Sequence, residues 1–411
     1  MEAGNVIVIG GGAAGFFSAV NIAEMYPECK VTLLEKSGKL LSKVRVSGGG
    51  RCNVTHACFD NRQLVKNYPR GEKELLNVFS RFSTTDTIEW FEKRGVKLKT
   101  EEDGRMFPVT DSSETIVRCL LQEAEKNNVK ILQNVSIEKI IKDNHEFTLR
   151  AAGGGTFTCD RLVIATGGNP KEDAYRWLSE LGHTVIKPVP SLFTFNIADK
   201  TLTALMGVSV PEAKVKIAGT GLETQGPLLI THWGLSGPAV LKTSAWGAKQ
   251  LNDKNYEFTV LVSWLPKFNE EKLKIEFENE RMENGAKMVI PNCPFELPKR
   301  LWEYLCLKAG ISSAARWADL SKKNANVLIA SLVNDEYKVS GKTTFKEEFV
   351  TCGGIDLKEI DMARMESKLV PGLFFSGEVI NVDGITGGFN FQNAWSTAWI
   401  ASLGIFSKNR K

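Results

Sequence analysis

Three glycines and one carboxylate near the start of the chain have the types and spacing needed to hold a nucleotide pyrophosphate. Gly10, Gly12 and Gly15 follow the apolar run Asn5–Ile9 and precede a segment with helical periodicity. In such a strand–turn–helix unit the first glycine permits the tight turn and the second lets the backbone approach the pyrophosphate. The third lets the helix pack closely on the strand. Unpaired N–H groups at the start of the helix would then face the phosphates.

An acidic residue at the end of the next apolar run completes this pattern. Glu35 ends the run that begins at Lys30, and it lies twenty residues after Gly15. A carboxylate at this place can accept both hydroxyls of an adenosine ribose and would repel a 2′-phosphate. The combination predicts NAD or FAD as the ligand.

The stretch VRVSGGGRCNVTH, residues 44–56, favours FAD. An NAD-binding domain would continue with regular strand and helix alternation, whereas this chain has a segment dense in Gly, Ser, Lys and Arg. We expect a loop whose glycines let the backbone lie against a long ligand. The cations Lys43, Arg45 and Arg51 would offset phosphate charge.

Two later segments are predicted to return to the same ligand. Residues 159–168 form an apolar run that ends in Ala-Thr-Gly-Gly, as expected at the carboxyl edge of a parallel sheet. A second run ends at Glu378, and Gly387-Gly388 then opens a last apolar helix. We expect Glu378 or Asp383 to bind ribitol hydroxyls, and the helix to point its amino end at the pyrimidine side of a flavin. Because no second G-x-G-x-x-G follows a strand, NAD(P)H is expected only as a transient reductant.

Composition narrows the classes of protein and partner. The chain has 411 residues, 43% of them hydrophobic and 24% charged, with a formal net charge of +4. These values are typical of a soluble globular protein, and the small charge argues against a nucleic-acid partner. The N-terminal apolar run is broken by glycine and no apolar stretch approaches ~18 residues, so we expect no leader peptide and no membrane span. The eight cysteines form no C-x-x-C pair, so we expect reduced thiols in a cytoplasmic protein and no metal site. The sequence does not indicate an oligomeric state.

The middle of the chain differs in character from both ends. Valine-rich runs with glycine turns predict antiparallel strands, and charged or apolar periodic segments predict helices at residues 269–288, 297–309 and 318–333. We therefore predict an FAD-binding domain at residues 1–188 and 345–411. The inserted domain spans 189–344, β-rich at 189–265 and 334–344 with a helical subdomain at 266–333. Its position suggests a substrate wall over the flavin.

Several motifs together resemble those of the BaiN/YhiN-type FAD-dependent oxidoreductases, bacterial flavoproteins also described as aminoacetone-oxidase-like. They are GGGAAG with Glu35, SGGGRCNVT, ATGG, GPLLITHWGLSGPAVL and MESKLVPGLFFSGEVINVDGITGGFNFQNAWSTAWIAS. The resemblance covers nearly the whole chain. It implies an α/β class protein with a Rossmann-like two-dinucleotide-binding-domain FAD fold of the glutathione-reductase type, carrying an inserted β-barrel-like and helical domain.

The resemblance also implies that FAD contacts come from five segments: the first glycine loop, the acid after it, the second glycine loop, the Ala-Thr-Gly-Gly strand end and the C-terminal block. The complete set of predicted contacts is Gly10, Gly12, Ala13, Ala14, Gly15, Glu35, Lys36, Lys43, Ser47, Gly48, Gly49, Gly50, Arg51, Cys52, Asn53, Val135, Ala165, Thr166, Gly167, Gly168, Gly377, Glu378, Asp383, Gly387, Gly388, Phe389 and Asn390.

Two residues are candidates for catalysis. Cys52 lies in the second loop and could act as a redox thiol, although a small packing residue is the alternative, and a disulfide with Cys58 stays open. His232 follows an apolar run and precedes a glycine turn, so it is a candidate general acid, with a structural histidine as the alternative.

These features favour an FAD-dependent oxidoreductase that transfers hydride between flavin and a small organic substrate. The expected redox partner is NAD(P)H, with dioxygen as the alternative. One alternative is an FAD-dependent tRNA-modifying protein, which would favour a broad basic patch. Another is a flavin-carrying redox or binding protein without turnover, since the sequence has no evident catalytic dyad.

Overall fold

The computed structural model describes residues 4–144, 146–344 and 350–406. The chain divides into two compact units, which we name the Rossmann unit (Met1–Ser191 with Lys346–Lys411) and the barrel unit (Leu192–Phe345).

The described strands are β1 Asn5–Ile9, β2 Lys30–Leu34, β3 Thr55–His56, β4 Leu98–Thr100, β5 Arg105–Pro108, β6 Lys130–Leu132, β7 Ile137–Asp143, β8 Glu146–Ala151, β9 Thr156–Cys159, β10 Arg161–Ile164, β11 Val185–Pro190, β12 Thr194–Ile197, β13 Ser209–Ile217, β14 Glu223–Thr231, β15 Gly234–Ser236, β16 Glu257–Ser263, β17 Asp335–Thr343, β18 Thr351–Ile355, β19 Ile360–Asp361, β20 Glu366–Ser367 and β21 Leu373–Phe375.

The described α-helices are α1 Ala13–Met25, α2 Ser42–Gly50, α3 Asn61–Leu64, α4 Glu72–Phe79, α5 Thr84–Glu92, α6 Glu114–Lys126, α7 Arg176–Ser179, α8 Lys200–Thr203, α9 Pro238–Trp246, α10 Ala248–Asp253, α11 Glu270–Asn284, α12 Lys299–Lys308, α13 Lys322–Asn334 and α14 Phe389–Gly404. Short 3₁₀ turns cover Val65–Asn67, Glu172–Tyr175, Leu357–Glu359 and Gly377–Val379.

A largely parallel sheet forms the centre of the Rossmann unit. Its strand order is β19-β20-β21-β10-β1-β2-β6, and the five strands from β21 to β6 run parallel. β1 reads NVIVI and is buried from its second residue onward, as expected of a strand covered on both faces. Helices α1 and α14 pack against each other beside this sheet. Smaller antiparallel sheets, β3-β5-β4, β7-β8-β9 and β11-β18, complete the unit.

The barrel unit contains a closed barrel with strand order β12-β15-β14-β13-β16-β17. In β13, Val210, Ala213, Val215 and Ile217 are buried while several of their neighbours are exposed, so one face of the strand lines the interior. Helices α11, α12 and α13 pack on one another, and α13 also packs on β16. Barrel and helices share one apolar core, which includes Trp302 of α12.

The predicted fold class is confirmed: a Rossmann-like fold with an additional small barrel. The three helices predicted in the middle of the chain correspond to α11, α12 and α13. The expectation of a loop throughout residues 44–56 was wrong, because α2 occupies its first part and β3 its last two residues. The helical conformation is interrupted at Ser47, Gly48 and Gly49.

Candidate functional site

The parallel register aligns the predicted site segments along one edge of the central sheet. Ile9 pairs with Leu34 and with Ile164, and Ile164 pairs with Phe375. The residues that follow this row are Gly10, Glu35, Ala165 and Ser376. Because ligands of open α/β sheets bind outside the carboxyl ends of the strands, this edge is the expected site.

The first glycine loop is built for close backbone approach. Gly10 has a φ of +116°, and a Cβ there would lie 2.3 Å from the carbonyl oxygen of Ala165. A Cβ on Gly15 would lie 1.8 Å from the carbonyl oxygen of Gly10. By contrast, a Cβ on Gly12 would meet nothing within 4 Å. Gly10 and Gly15 are therefore required by the fold, whereas Gly12 borders open space where a ligand fits.

The amino end of α1 adds a favourable field to this space. No side chain caps the helix, and its first turn contains no acidic residue. The free amides and the helix dipole therefore suit an anion such as a pyrophosphate.

Glu35 lies beside this loop at the end of β2. Its Oε2 accepts from the Gly11 N–H at 2.7 Å, and its Oε1 accepts from the N–H and hydroxyl of Ser37 at 2.9 and 2.8 Å. The Val135 N–H donates to the Glu35 carbonyl at 2.9 Å, which brings another predicted contact to the same place. Lys36 is exposed. The contacts hold the Glu35 carboxylate where an adenosine ribose would lie.

The second glycine loop has an unusual backbone. Gly48, Gly49 and Gly50 have φ values of +59°, +70° and +85°, and Cys52 has +62°. Gly48 lies against Phe107, since a Cβ there would be 2.8 Å from the ring. A Cβ on Gly49 would have no neighbour within 4 Å. Glycine is thus needed for conformation along this loop, and only part of it borders open space.

The cations of the second loop, which were predicted to offset phosphate charge, are paired with carboxylates of the protein. Arg51 forms ion pairs with Glu101 at 2.5 Å and Asp111 at 3.5 Å, and its guanidinium lies 4.0 Å from the ring centre of Phe107. Arg45 pairs with Glu114.

Lys43 follows the same pattern at the edge of the site. Its Nζ lies 2.9 Å from Glu378 Oε2. The three positive charges of this segment therefore each have a carboxylate partner within the protein.

Cys52 is fully buried, and burial raises the pKa of its thiol to about 12. A thiol in this state is neither a ready nucleophile nor a ready acid at neutral pH. Cys58 is also a free thiol, so no disulfide joins the two residues. The structure therefore favours the packing role for Cys52 over the redox role.

The end of β10 lies next to the C-terminal block. Ala165 contacts Gly10, and Gly167 has a φ of +72°. A Cβ on Gly168 would lie 2.5 Å from Glu378 Oε1 and 2.4 Å from Thr351 Oγ1. Thr166 is exposed. These contacts bring the Ala-Thr-Gly-Gly segment and Glu378 together, as predicted for a shared ligand.

Of the two proposed sugar-binding acids, Asp383 is occupied by the protein itself and Glu378 stays a candidate. Asp383 is fully buried and is bound by the Arg70 guanidinium and by the Ser191 hydroxyl at 2.6 Å. Burial raises the pKa of Asp383, against the opposing effect of Arg70. The prediction that Asp383 binds ribitol is therefore corrected to a structural ion pair. Glu378 is partly exposed and accepts from the Thr351 N–H at 2.6 Å.

The start of α14 provides a second uncapped helix end. Gly387 and Gly388 have φ values of +129° and +95°, and no side chain caps the helix that follows. Gly377 lies beside the start of α1, since a Cβ there would lie 2.7 Å from the Ala14 side chain. Asn390 is bonded to both backbone groups of Gly384, at 2.8 and 2.9 Å, and thereby fixes the loop before the helix.

His232, the other catalytic candidate, lies in the barrel unit. It occupies the tight turn between β14 and β15, where its side chain is exposed and its ring lies 3.9 Å from that of Trp233. The ring of His232 is therefore exposed to solvent, and its one described ring contact is with Trp233.

Three residues of the site surroundings were missed by the sequence analysis. Tyr68 donates to the Phe389 carbonyl at 2.6 Å, Arg70 binds Asp383, and His56 contacts Gly387. Arg70 and Tyr68 are far from the C-terminal block in sequence, so no local pattern indicated them. His56 directly follows the second glycine loop, and that proximity was the available signal.

The residues at the carboxyl edge therefore fit FAD. Open space at Gly12, two uncapped helix ends and two carboxylates at the ends of β2 and β21 provide separate places for pyrophosphate, flavin and sugar hydroxyls. Within the described ranges, no cluster of His, Cys, Asp and Glu could hold a metal ion, and none of the helices is long and apolar enough to cross a membrane.

Comparison with known sequences places this geometry in a family. The family described as HI0933-like protein, Rossmann domain, matches residues 4–404. A ribosomal RNA dihydrouridine synthase of Haemophilus influenzae is 33% identical over 412 residues, covering 97% of this chain and 98% of that protein. A 3-dehydro-bile acid delta(4,6)-reductase of Clostridium scindens is 27% identical over 411 residues, covering 96% and 97% of the two chains.

Comparison with solved structures shows the same fold at low sequence identity. The 3-ketosteroid delta1-dehydrogenase of Sterolibacterium denitrificans aligns with a TM-score of 0.50 and 12% identity, covering 98% of this chain and 99% of that chain.

Proposed function

The chain belongs to the HI0933-like family and is an FAD-dependent oxidoreductase, and from this premise we propose that it reduces the C5–C6 double bond of uridine in ribosomal RNA. Bound FAD supplies the hydride in this chemistry. The protein's own part is to hold the cofactor at the sheet edge, to position the base and to deliver one proton.

One observation carries the proposal: similarity from end to end with a relative whose name states this reaction. The 33% identity extends over 97% of this chain and 98% of that protein, so it includes both the Rossmann unit and the barrel unit. Dihydrouridine is uridine with a saturated C5–C6 bond, and in uridine that bond is conjugated to a carbonyl.

A second candidate is reduction of an enone in a steroid-like acid. The bile acid reductase is 27% identical over a similar span, and its name also describes reduction of carbon–carbon bonds in a ring system that carries a 3-oxo group. Both candidates need a hydride at one carbon of a conjugated double bond and a proton at the other. The higher identity favours RNA, although the net charge of +4 led us to expect no nucleic-acid partner.

We propose NAD(P)H as the electron source. The sequence contains a single well-formed G-x-G-x-x-G after a strand, so a nicotinamide would bind only transiently. The electrons would then balance, because one NAD(P)H would be consumed for each double bond reduced while the residues of the sheet edge hold the FAD.

For the proton we propose His232. Cys52 is unsuited, because its thiol is buried with a pKa of about 12. His183 is buried and bonded to Glu359 and Ser367. His232 is exposed on a turn, and an imidazole is a common general acid near neutral pH.

The test is a product assay with both substrate classes. Purified holoenzyme and NADH or NADPH are incubated without oxygen with ribosomal RNA lacking dihydrouridine, or with a 3-oxo-Δ4 steroid acid. Nucleosides and steroids are then analysed by mass spectrometry for a gain of two hydrogens. We expect dihydrouridine at a defined site and an unchanged steroid. Reduced steroid with unchanged RNA would instead establish the second candidate.

The variant H232Q separates proton delivery from hydride transfer to the cofactor. We expect cofactor reduction by NAD(P)H at the wild-type rate and RNA reduction about 100-fold slower, since a general acid commonly contributes at least that factor. An equal slowing of both half-reactions would contradict the role of His232.

A further inference from the structure

The peptide bond between Gly387 and Gly388, directly before α14, is held from both sides. His56 Nδ1 lies 3.0 Å from the Gly387 carbonyl oxygen, so the nitrogen must donate to it. In the orientation that satisfies both ends of its amide, Asn53 accepts from the Gly388 N–H at 3.0 Å and donates to the Thr55 carbonyl at 2.9 Å. Because the C=O and N–H of one planar peptide point in opposite directions, His56 and Asn53 together fix its rotation.

The segment that carries these side chains is itself bound to α14. The Thr55 hydroxyl donates to the Gln392 side chain at 2.5 Å, and Trp395 Nε1 donates to the Val54 carbonyl at 2.9 Å. The contact is also close in space, since a Cβ on Gly388 would lie 2.6 Å from the Thr55 carbonyl group. The segment and the helix start therefore behave as one rigid element.

His56 makes a second contact that must be separated from its hydrogen bond. Its ring stacks on Phe389, the first residue of α14, with centres 4.6 Å apart and an interplanar angle of 28°. A substitution can thus keep the stack and lose the donor, or keep the donor and lose the stack.

Fixing this peptide fixes the direction of the amides that follow it. Asn53 uses the Gly388 N–H, so the N–H groups presented by the first turn are those of Phe389, Asn390 and Phe391. The turn contains no acidic residue and no capping side chain. A change in the 387–388 peptide would reorient this end of the helix.

We propose that His56 and Asn53 are positioning residues that hold the first-turn amides of α14 toward the pyrimidine edge of the flavin, and thereby favour its anionic reduced form. The inference rests on the assignment of this helix end to the flavin. Preorganised N–H groups stabilise developing negative charge because they need no reorientation when the charge appears. We name the hydrogen bonds of His56 and Asn53 to the 387–388 peptide the clamp. Loss of the clamp should weaken binding of reduced FAD more than binding of oxidised FAD.

A matched pair of variants at one position tests this. H56N places an amide nitrogen where Nδ1 stands and removes the ring, whereas H56F keeps the ring on Phe389 and removes the donor. The readout is the two-electron reduction potential of the bound flavin, measured against a reference dye. We expect H56F to lose about tenfold in the preference for reduced over oxidised FAD, which corresponds to a potential about 30 mV lower. H56N should change this preference by less than about twofold.

A purely structural role gives a different result. It would lower the thermal midpoint of both variants in proportion to lost packing and leave both potentials at the wild-type value, and that outcome would overturn the proposal. Should H56F fail to fold, N53A serves as the second variant. N53A removes the acceptor for the Gly388 N–H, so we expect it also to lower the reduction potential. A wild-type potential in N53A would overturn the proposal.

Hydrogen exchange supplies a readout that needs no cofactor. In the FAD-free protein, amides of residues 387–391 should exchange faster in H56F than in H56N. These measurements use no RNA. A shifted potential with no dihydrouridine formed would refute the proposed substrate and leave the clamp intact, whereas dihydrouridine formation with an unshifted potential would do the reverse.

Discussion

The two glycine-rich loops of the Rossmann unit use glycine for different purposes. In the first loop, Gly12 borders open space beside the uncapped start of α1, so the backbone is exposed to a ligand. In the second, Gly48 packs on Phe107, and the neighbouring Arg51 is paired with Glu101 and Asp111. The first loop thus exposes its backbone at Gly12 beside a helix start, whereas the second combines an open stretch at Gly49 with packing on Phe107 and an ion-paired arginine. Similar composition therefore does not imply a similar environment.

The largest effect is expected from filling the open space at Gly12. Its φ is −94°, so a valine fits the backbone, but its side chain would occupy the place assigned to the pyrophosphate. We predict that G12V weakens FAD binding by more than about 100-fold, because steric overlap of this size costs about 3 kcal/mol. Titration of the FAD-free protein with FAD, followed by fluorescence, measures the change.

The matched control is G15A in the same loop. Its Cβ would lie 1.8 Å from the Gly10 carbonyl, so this variant should lose thermal stability in the FAD-free protein while G12V does not. Equal destabilisation by both substitutions would show that Gly12 is as structural as Gly15 and would remove the contrast between the loops.

A smaller effect is expected from Glu35. Its carboxylate accepts from the Gly11 N–H and is placed to accept ribose hydroxyls. We predict that E35A weakens FAD binding about 10- to 100-fold, as expected for loss of hydrogen bonds to a charged group. The same titration measures it, with S37A as the control that removes a neighbouring hydroxyl. An unchanged affinity in E35A would mean that the adenosine lies elsewhere.

Substitution of Cys52 tests whether this residue of the second loop has a packing role or a redox role. Since burial raises the pKa of its thiol to about 12, we expect no thiolate charge-transfer band in the flavin spectrum at pH 8. C52A should keep NAD(P)H-driven cofactor reduction within about threefold and lose about 1 kcal/mol of stability from the missing buried group. A reduction rate lowered 100-fold in C52A would restore the redox role.

The smallest effect is expected at Arg51. Its charge is already offset by Glu101 and Asp111, so R51A should change FAD affinity by less than about threefold. The control is E101Q, which removes one partner and should be equally neutral for FAD. If R51A weakened FAD binding more than tenfold, Arg51 would be a phosphate ligand and the two loops would share one function.

Much of the fold was predictable because local pattern determined it. The strand, turn and helix around Gly12 follow from burial on both sheet faces and from glycine at fixed positions. The three helices of the barrel unit follow from periodicity.

What could not be predicted depends on contacts distant in sequence. Asp383 lies in the segment after Glu378, where a sugar-binding acid was predicted, and its structural role is visible only from its pairing with Arg70, more than three hundred residues away. The same holds for the cations of the second loop, because the sequence around a basic residue does not indicate which carboxylate it pairs with. His56 is close in sequence to the second glycine loop, but its role could be recognised only from its contact with Gly387.

In the function proposed above, the carboxyl edge of the Rossmann unit holds FAD for reduction of uridine in ribosomal RNA. The most direct measurement follows the flavin absorption band at about 450 nm without oxygen, first with NAD(P)H and then with ribosomal RNA. We expect one FAD per chain, bleaching by one equivalent of NAD(P)H, and return of the band when RNA lacking dihydrouridine is added. A band that stays bleached with RNA and returns with a 3-oxo-Δ4 steroid acid would contradict the RNA substrate. Absence of any protein-bound flavin band after addition of FAD would contradict the site itself.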